Sequence, residues 1–129
     1  MKFIILSLVT VIATLTGSAI DGTSFSCTGG LGGSTPAVAQ LFVEQTTGHS
    51  VTVNLQLKNR ALPDGVTATL EGIFHEASQT IHAEGRIDGN PGSVRITFGQ
   101  HGQVYLSLYT SHNRRIENGY GAHFRCLSL

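Results

Sequence analysis

The segment Ser50–Lys58, S-V-T-V-N-L-Q-L-K, alternates apolar and polar side chains along its whole length. In an extended strand successive side chains point to opposite faces, so the polar residues would lie on one face. The apolar residues would lie on the other face; they are Val51, Val53, Leu55 and Leu57. The segment therefore predicts a β-strand with one buried face.

The same period-two alternation recurs through the rest of the chain. The apolar positions are Val66, Ala68, Leu70, Gly72 and Phe74; Ile81, Ala83, Gly85 and Ile87; Val94, Ile96 and Phe98; and Val104, Leu106 and Leu108. In the last run Tyr120, Ala122, Phe124 and Cys126 share one face, opposite His123 and Arg125. The run Val38–Val43 is apolar on both faces, so its inward side is ambiguous. These patterns predict an all-β domain of about eight strands.

Turn-forming residues separate the alternating runs. Pro63–Gly65, Asp88–Gly92 and Gln100–Gly102 have the composition of turns, whereas 28–36 and 111–119 are predicted to be longer loops. Loop lengths then assign cross-strand partners in three hairpins. The predicted pairs are Leu70–Ala83, Val66–Ile87 and Glu71–His82 in the first hairpin, Glu84–Arg95 in the second, and Ile96–Leu106 and Val94–Leu108 in the third.

The chain has only two cysteines, Cys27 near the start of the predicted domain and Cys126 near its end. In an oxidising compartment they would form one disulfide that closes a loop of about 100 residues. The first and last strands of a meander are its open edges, and this bridge would hold them together. The sequence therefore predicts a small antiparallel barrel or two-sheet sandwich, closed by one disulfide.

The N-terminus has the three-part pattern of a secretory signal peptide. One positive charge, Lys2, precedes an apolar run from Phe3 to Leu15, and Gly17 and Ala19 fit a cut before Ile20. We expect residues 1–19 to be a signal peptide and residues 20–129 a single β domain. The apolar run is shorter than the roughly 20 residues of a membrane-spanning helix, so no stable membrane span is expected after cleavage. The expected location is secreted or periplasmic.

Composition argues against nucleic acid as a partner. The chain has eight basic and eight acidic residues, and loss of Lys2 leaves seven against eight. That balance does not build the positive field that phosphate backbones or anionic membranes attract.

The longest polar connection is the main candidate for binding. It contains His112, Asn113, Arg114 and Arg115, and the outward-facing Tyr105 and Tyr109 precede it. Arg and Tyr are enriched at protein contact hot spots, and loops on rigid scaffolds often bind. The hypothesis is an exported, non-catalytic binding or structural module that contacts another protein or a cell-envelope component, without a cofactor.

A small metal-dependent or hydrolytic enzyme is an alternative. It would use Glu71, His82 and Glu84, since His82 and Glu84 share one strand face and Glu71 lies across the hairpin. However, the chain has no G-x-S-x-G, H-E-x-x-H or C-x-x-C motif, so neither a catalytic grouping nor a specific metal site is expected. The Gly29–Gly33 run, G-G-L-G-G, lacks the Lys-Ser or Lys-Thr and the following helix of a phosphate-binding loop.

The layout, a secreted barrel-sized β domain with a near-terminal disulfide, is similar to that of small bacterial exported inhibitors such as the periplasmic lysozyme inhibitors. The S-G-x-x-Y signature of that family does not occur in the chain. The architectural resemblance implies a second alternative, a secreted inhibitor of a host or competitor enzyme.

Overall fold

The computed structural model describes residues 20–31, 35–59, 62–110 and 122–128. The predicted signal peptide and the predicted loop at 111–119 lie outside these residues. Within them are eight strands and a short 3-10 helix, Gln100–Gly102. The strands are β1 (Thr23–Leu31), β2 (Thr35–Thr47), β3 (Ser50–Asn59), β4 (Leu62–His75), β5 (Thr80–Ile87), β6 (Asn90–Phe98), β7 (Val104–Thr110) and β8 (Ala122–Ser128).

The strands form a closed antiparallel barrel in which each strand pairs with its neighbours in sequence and β8 pairs with β1. The predicted all-β fold is confirmed, and of its two predicted forms the structure is the barrel. The period-two faces are confirmed for the described residues, because the predicted apolar side chains fill the interior. The ambiguous run on β2 also has a defined side: Ala39, Leu41 and Val43 are buried, whereas Val38 and Phe42 face solvent.

The register of the β6–β7 hairpin is confirmed. Ile96 lies opposite Leu106 and Val94 opposite Leu108. Gly102 in the connecting turn has a φ of 76°, a left-handed conformation that glycine adopts without strain.

The predicted register of the β5–β6 hairpin is wrong by two residues. The loop has two residues rather than four, and Glu84 lies opposite Ser93 instead of Arg95. Asp88 and Gly89 have φ angles of 54° and 82°, as a type I′ turn requires of both central residues. The Asp-Gly pair closes the hairpin because this turn matches the twist of the strands, so Asn90 begins β6.

The predicted register of the β4–β5 hairpin is also wrong by two residues. The four-residue turn begins after His75, which places Glu71 opposite Glu84 rather than His82, and Leu70 opposite Gly85 rather than Ala83. The amide of Gln79 donates to the carbonyl of Glu76 at 3.2 Å, while its carbonyl accepts from the amide of Phe98 at 2.9 Å. The turn is thus anchored to β6, a contact that local sequence does not reveal.

Most of the predicted loop at 28–36 is strand, since β1 extends to Leu31 and β2 begins at Thr35. Gly29 explains the extension of β1: a Cβ there would overlap the backbone oxygen of His123 on β8. The missing side chain lets the two strands approach. The predicted turn Pro63–Gly65 is likewise part of β4, beside a register shift between Leu57 and Asn59.

The two cysteines close the barrel. Cys27 lies directly opposite Cys126, with 3.9 Å between their Cα atoms, and the two form the predicted disulfide. Both side chains are buried in the core beside Phe124. The disulfide is consistent with an oxidising compartment outside the cytoplasm.

Candidate functional site: the outer face of β7 and β8

The strand β7 presents two tyrosines to solvent. Val104, Leu106 and Leu108 point into the barrel, so Tyr105 and Tyr109 point outward and are 37% and 57% exposed. Their outward position follows from the period-two alternation, as the sequence indicated. Large exposed aromatic side chains on a rigid strand can contact a partner with little loss of conformational entropy.

The strand β8 places two further polar side chains beside them. Arg125 lies opposite Tyr105, and His123 lies opposite Ser107. The His123 Nδ1 atom and the Ser107 hydroxyl are 3.2 Å apart and share a hydrogen bond. We call Tyr105, Ser107, Tyr109, His123 and Arg125 the β7–β8 face.

A shallow groove of about 440 Å³ runs along this face, lined by Thr28, Tyr105, His123, Phe124 and Arg125. It crosses the seam where β8 meets β1. Gly30, which has no side chain, is the β1 residue opposite His123.

The charges of the described strands are unevenly distributed around the barrel. Strands β6, β7, β8 and β1 contain Arg95 and Arg125 and no acidic residue. Strands β2 to β5 contain Glu44, Asp64, Glu71 and Glu84, with Lys58 and Arg86 as their basic residues. The β7–β8 face is therefore on the positive side of a barrel whose opposite strands are net negative.

The sequence-predicted binding residues are only partly placed. Tyr105 and Tyr109 are on the β7–β8 face, whereas His112, Asn113, Arg114 and Arg115 lie outside the described residues. In the sequence they fall between the end of β7 at Thr110 and the start of β8 at Ala122.

Sequence reasoning missed Ser107, His123 and Arg125 as members of this face, and Thr28 as a residue that lines its groove. The alternation around Phe124 and Cys126 already turned His123 and Arg125 outward. The sequence did not show which residues lie beside them, however, because the long connection between β7 and β8 does not set the register of that pair.

The residues of the alternative enzyme site lie on a different part of the outer surface. Glu71 on β4 is directly opposite Glu84 on β5, and the Nε2 atom of His82 is 3.8 Å from a carboxylate oxygen of Glu84. Both side chains of that pair are substantially exposed, at 44% for His82 and 73% for Glu84. Solvent screens such a pair, so it contributes little to stability.

His123 does not join this group. It is three strands from His82 along a row that passes through Arg95 and Ser107. At roughly 4.8 Å for each strand spacing, the two histidines are about 14 Å apart. Among residues 20–31, 35–59, 62–110 and 122–128, no three His, Cys, Asp or Glu side chains are grouped so as to hold a metal ion.

The described part of the chain has no helix that is both long and apolar enough to cross a membrane. No protein-family model, curated protein or solved structure matches the chain.

Proposed function

We propose that this chain is an exported, non-catalytic module that binds another protein through the β7–β8 face and the connection at 111–119. The supporting observation is the grouping of Tyr105, Tyr109 and Arg125 on one exposed, rigid face that lacks acidic residues. Tyr and Arg are the side chains that most often dominate the energetics of protein contacts.

The charge of the face defines the chemistry of the partner. Arg125 on the face and Arg95 on the neighbouring strand β6, opposite Ser107, favour an acidic surface, whose attraction would steer association and weaken at high salt. Two arginines are few compared with the six to ten phosphate contacts of a typical DNA-binding protein. A protein with an acidic contact patch therefore fits the face better than nucleic acid does.

Export is part of the proposal. It rests on the signal-peptide pattern of residues 1–19 and on the disulfide, which persists in oxidising compartments. Material recovered outside the cytoplasm is expected to begin at Ile20 and to be lighter than the reduced chain by two hydrogen atoms. Intact mass before and after reduction measures both properties, and an uncleaved leader or two free thiols would contradict them.

The binding test uses the mature, disulfide-bonded protein as bait for proteins of the extracytoplasmic fraction. The captured partner is then titrated against variants. Tyr109→Ala and Arg125→Ala are each expected to weaken binding by at least about tenfold, as hot-spot residues do. Ile73→Ala and Arg86→Ala are matched controls, because both residues are exposed on β4 or β5, outside the face.

Three results would separate the alternatives. Equal affinities for the β7–β8 variants and the controls would refute this face as the contact surface. Unchanged binding by an Arg114→Ala, Arg115→Ala double variant that folds normally would remove the 111–119 connection from it. A captured enzyme that loses activity on binding would identify the module as an inhibitor, whereas capture of a purified envelope polymer alone would refute a protein partner.

A further inference from the structure

A second groove, of about 570 Å³, lies on the outer face of strands β1 to β4. Its floor follows the strands around Leu41, Leu55 and Ala68, whose side chains point inward. The volume lies within the range of about 300–1,000 Å³ typical of small-molecule sites. None of its lining residues belongs to the β7–β8 face.

Seven outward-facing residues line the groove: Ser24 on β1, which lies opposite Phe42, and six residues in two cross-strand rows, each with one residue from β2, β3 and β4. The rows are Phe42–Asn54–Thr69 and Gln40–Gln56–Thr67, two residues apart along each strand. The register that places these side chains together is regular through both rows, so the groove is built on paired strands rather than on loops.

The lining contains no ionisable side chain. Its polar groups are carboxamides and hydroxyls, each of which can both donate and accept hydrogen bonds. Asn54 is oriented by two of its neighbours: its Nδ2 donates to the Glu44 carboxylate at 3.2 Å, and its Oδ1 accepts from the Thr69 hydroxyl at 3.2 Å. Beyond these two bonds, the Asn54 amide has a second Nδ2 hydrogen and the donating Thr69 hydroxyl has both of its lone pairs, so each group can hydrogen-bond to a ligand.

Phe42 places an apolar ring beside these polar groups. Its side chain is 38% exposed, although Ala39, Leu41 and Val43 on the same strand are buried. The negative face of an aromatic ring attracts weakly positive C–H groups. A ligand that fits both features is uncharged, has an apolar C–H face and carries hydroxyl groups around its edge, which describes a pyranose ring.

We propose that the groove binds an uncharged saccharide, with Phe42 stacked against a sugar ring and the side chains of Gln40, Asn54 and Gln56 hydrogen-bonded to its hydroxyls. This inference is independent of the proposed protein partner, because the two surfaces share no residue.

The test titrates the mature, disulfide-bonded protein with maltohexaose, cellohexaose and chitohexaose, followed by calorimetry and by amide chemical shifts. At least one of these neutral oligosaccharides is expected to bind, with the largest shifts on β2, β3 and β4. Phe42→Ala should weaken binding by at least about tenfold and Gln56→Ala by about three- to tenfold, the size of a lost net hydrogen bond. Phe42→Tyr keeps the ring and should retain binding.

Val38→Ala is the matched control, because Val38 is an exposed apolar residue that faces outward on the same strand but does not line the groove. It should bind as the unmodified protein does. If the protein binds an oligosaccharide in the titration and is also retained on insoluble cellulose or chitin, the ligand is a polysaccharide chain. If it binds in the titration but is not retained, the ligand is a free oligosaccharide.

Three outcomes would overturn the inference: no shift on these strands with any neutral oligosaccharide at millimolar concentration, equal binding by Phe42→Ala, or tighter binding of the anionic control hexagalacturonate. Tyr109→Ala should leave saccharide binding unchanged, just as Phe42→Ala should leave capture of the protein partner unchanged. The two proposals can therefore fail separately.

Discussion

The β1–β8 seam and the β5–β6 hairpin join strands of the same barrel by different means. At the seam, the paired cysteines are 99 positions apart in sequence and are linked covalently. In the hairpin, the two residues Asp88 and Gly89 reverse the chain. Closing a long loop costs more chain entropy than closing a short one, so a covalent link stabilises the β1–β8 pairing more than it would stabilise a hairpin. The β5–β6 hairpin needs only a suitable turn.

Removal of the disulfide should have the largest effect. For the double variant Cys27→Ala, Cys126→Ala we expect the free energy of unfolding to fall by about 3–5 kcal/mol, since a loop of about 100 residues corresponds to about 4.7 kcal/mol in the chain-entropy model. Urea unfolding of the variant, and of the unmodified protein with and without reductant, measures the loss. A change below about 1 kcal/mol would mean that strand pairing alone closes the barrel.

A methyl group at a tightly packed glycine should have the next largest effect. A Cβ at Gly29 would overlap the backbone oxygen of His123 across the seam, and one at Gly72 would overlap that of His82 within the β4–β5 hairpin. We expect Gly29→Ala and Gly72→Ala each to cost about 1–3 kcal/mol, as overpacking does.

Hydrogen exchange would distinguish the two glycine variants. Amides of β1 and β8 should lose protection in Gly29→Ala, and those of β4 and β5 in Gly72→Ala. The same loss of protection around the whole barrel in both variants would show that the β1–β8 and β4–β5 strand pairs do not open independently.

The β5–β6 turn should respond to a change in backbone preference alone. Nothing lies within 4 Å of a Cβ built at Gly89, but its φ of 82° is strained for alanine. Gly89→Ala should therefore cost about 1 kcal/mol in thermal or urea unfolding. Gly99→Ala is the control: Gly99 has a φ of −93°, and the nearest atom to its Cβ would be 3.5 Å away. Equal effects at the two positions would contradict the type I′ turn.

The smallest expected effect tests the register of the β4–β5 hairpin. Glu71 and Glu84 are directly opposite each other, and like charges in that position repel. Glu71→Gln should stabilise the protein by about 0.2–0.5 kcal/mol, less at high salt. Had Glu71 been opposite His82, the same change would have been neutral or destabilising. Glu44→Gln is the control and should bring no gain, because Glu44 accepts a hydrogen bond from Asn54.

The errors in register share one physical cause. A shift of one residue would move every side chain of a strand to the other face, and the apolar pattern excludes it. A shift of two residues keeps each side chain on its face, and both wrong hairpins differ from the structure by that amount. Loop geometry distinguishes the two registers, and in the β4–β5 turn it depends on the contact between Gln79 and Phe98 on β6.

The candidate site shows the same division between pattern and register. Alternation alone turned Tyr105, Tyr109, His123 and Arg125 outward. Which of them are neighbours depends on the β7–β8 pairing, which no short turn determines. The groove around Phe42 was hidden for a related reason: the β2 run is apolar on both faces, so its sequence did not show which residues would be exposed.

The sequence by itself determined the strand class, the inward face of most strands and the pairing of the two cysteines. Those properties depend on the two-residue period of a strand and on there being only two thiols. The tertiary structure decided that the sheet closes as a barrel and which polar side chains are neighbours on its outer surface. Closure and register depend on contacts between residues far apart in the chain. The alternation of apolar and polar residues cannot choose between two registers that differ by two residues, because both leave every side chain on the same face.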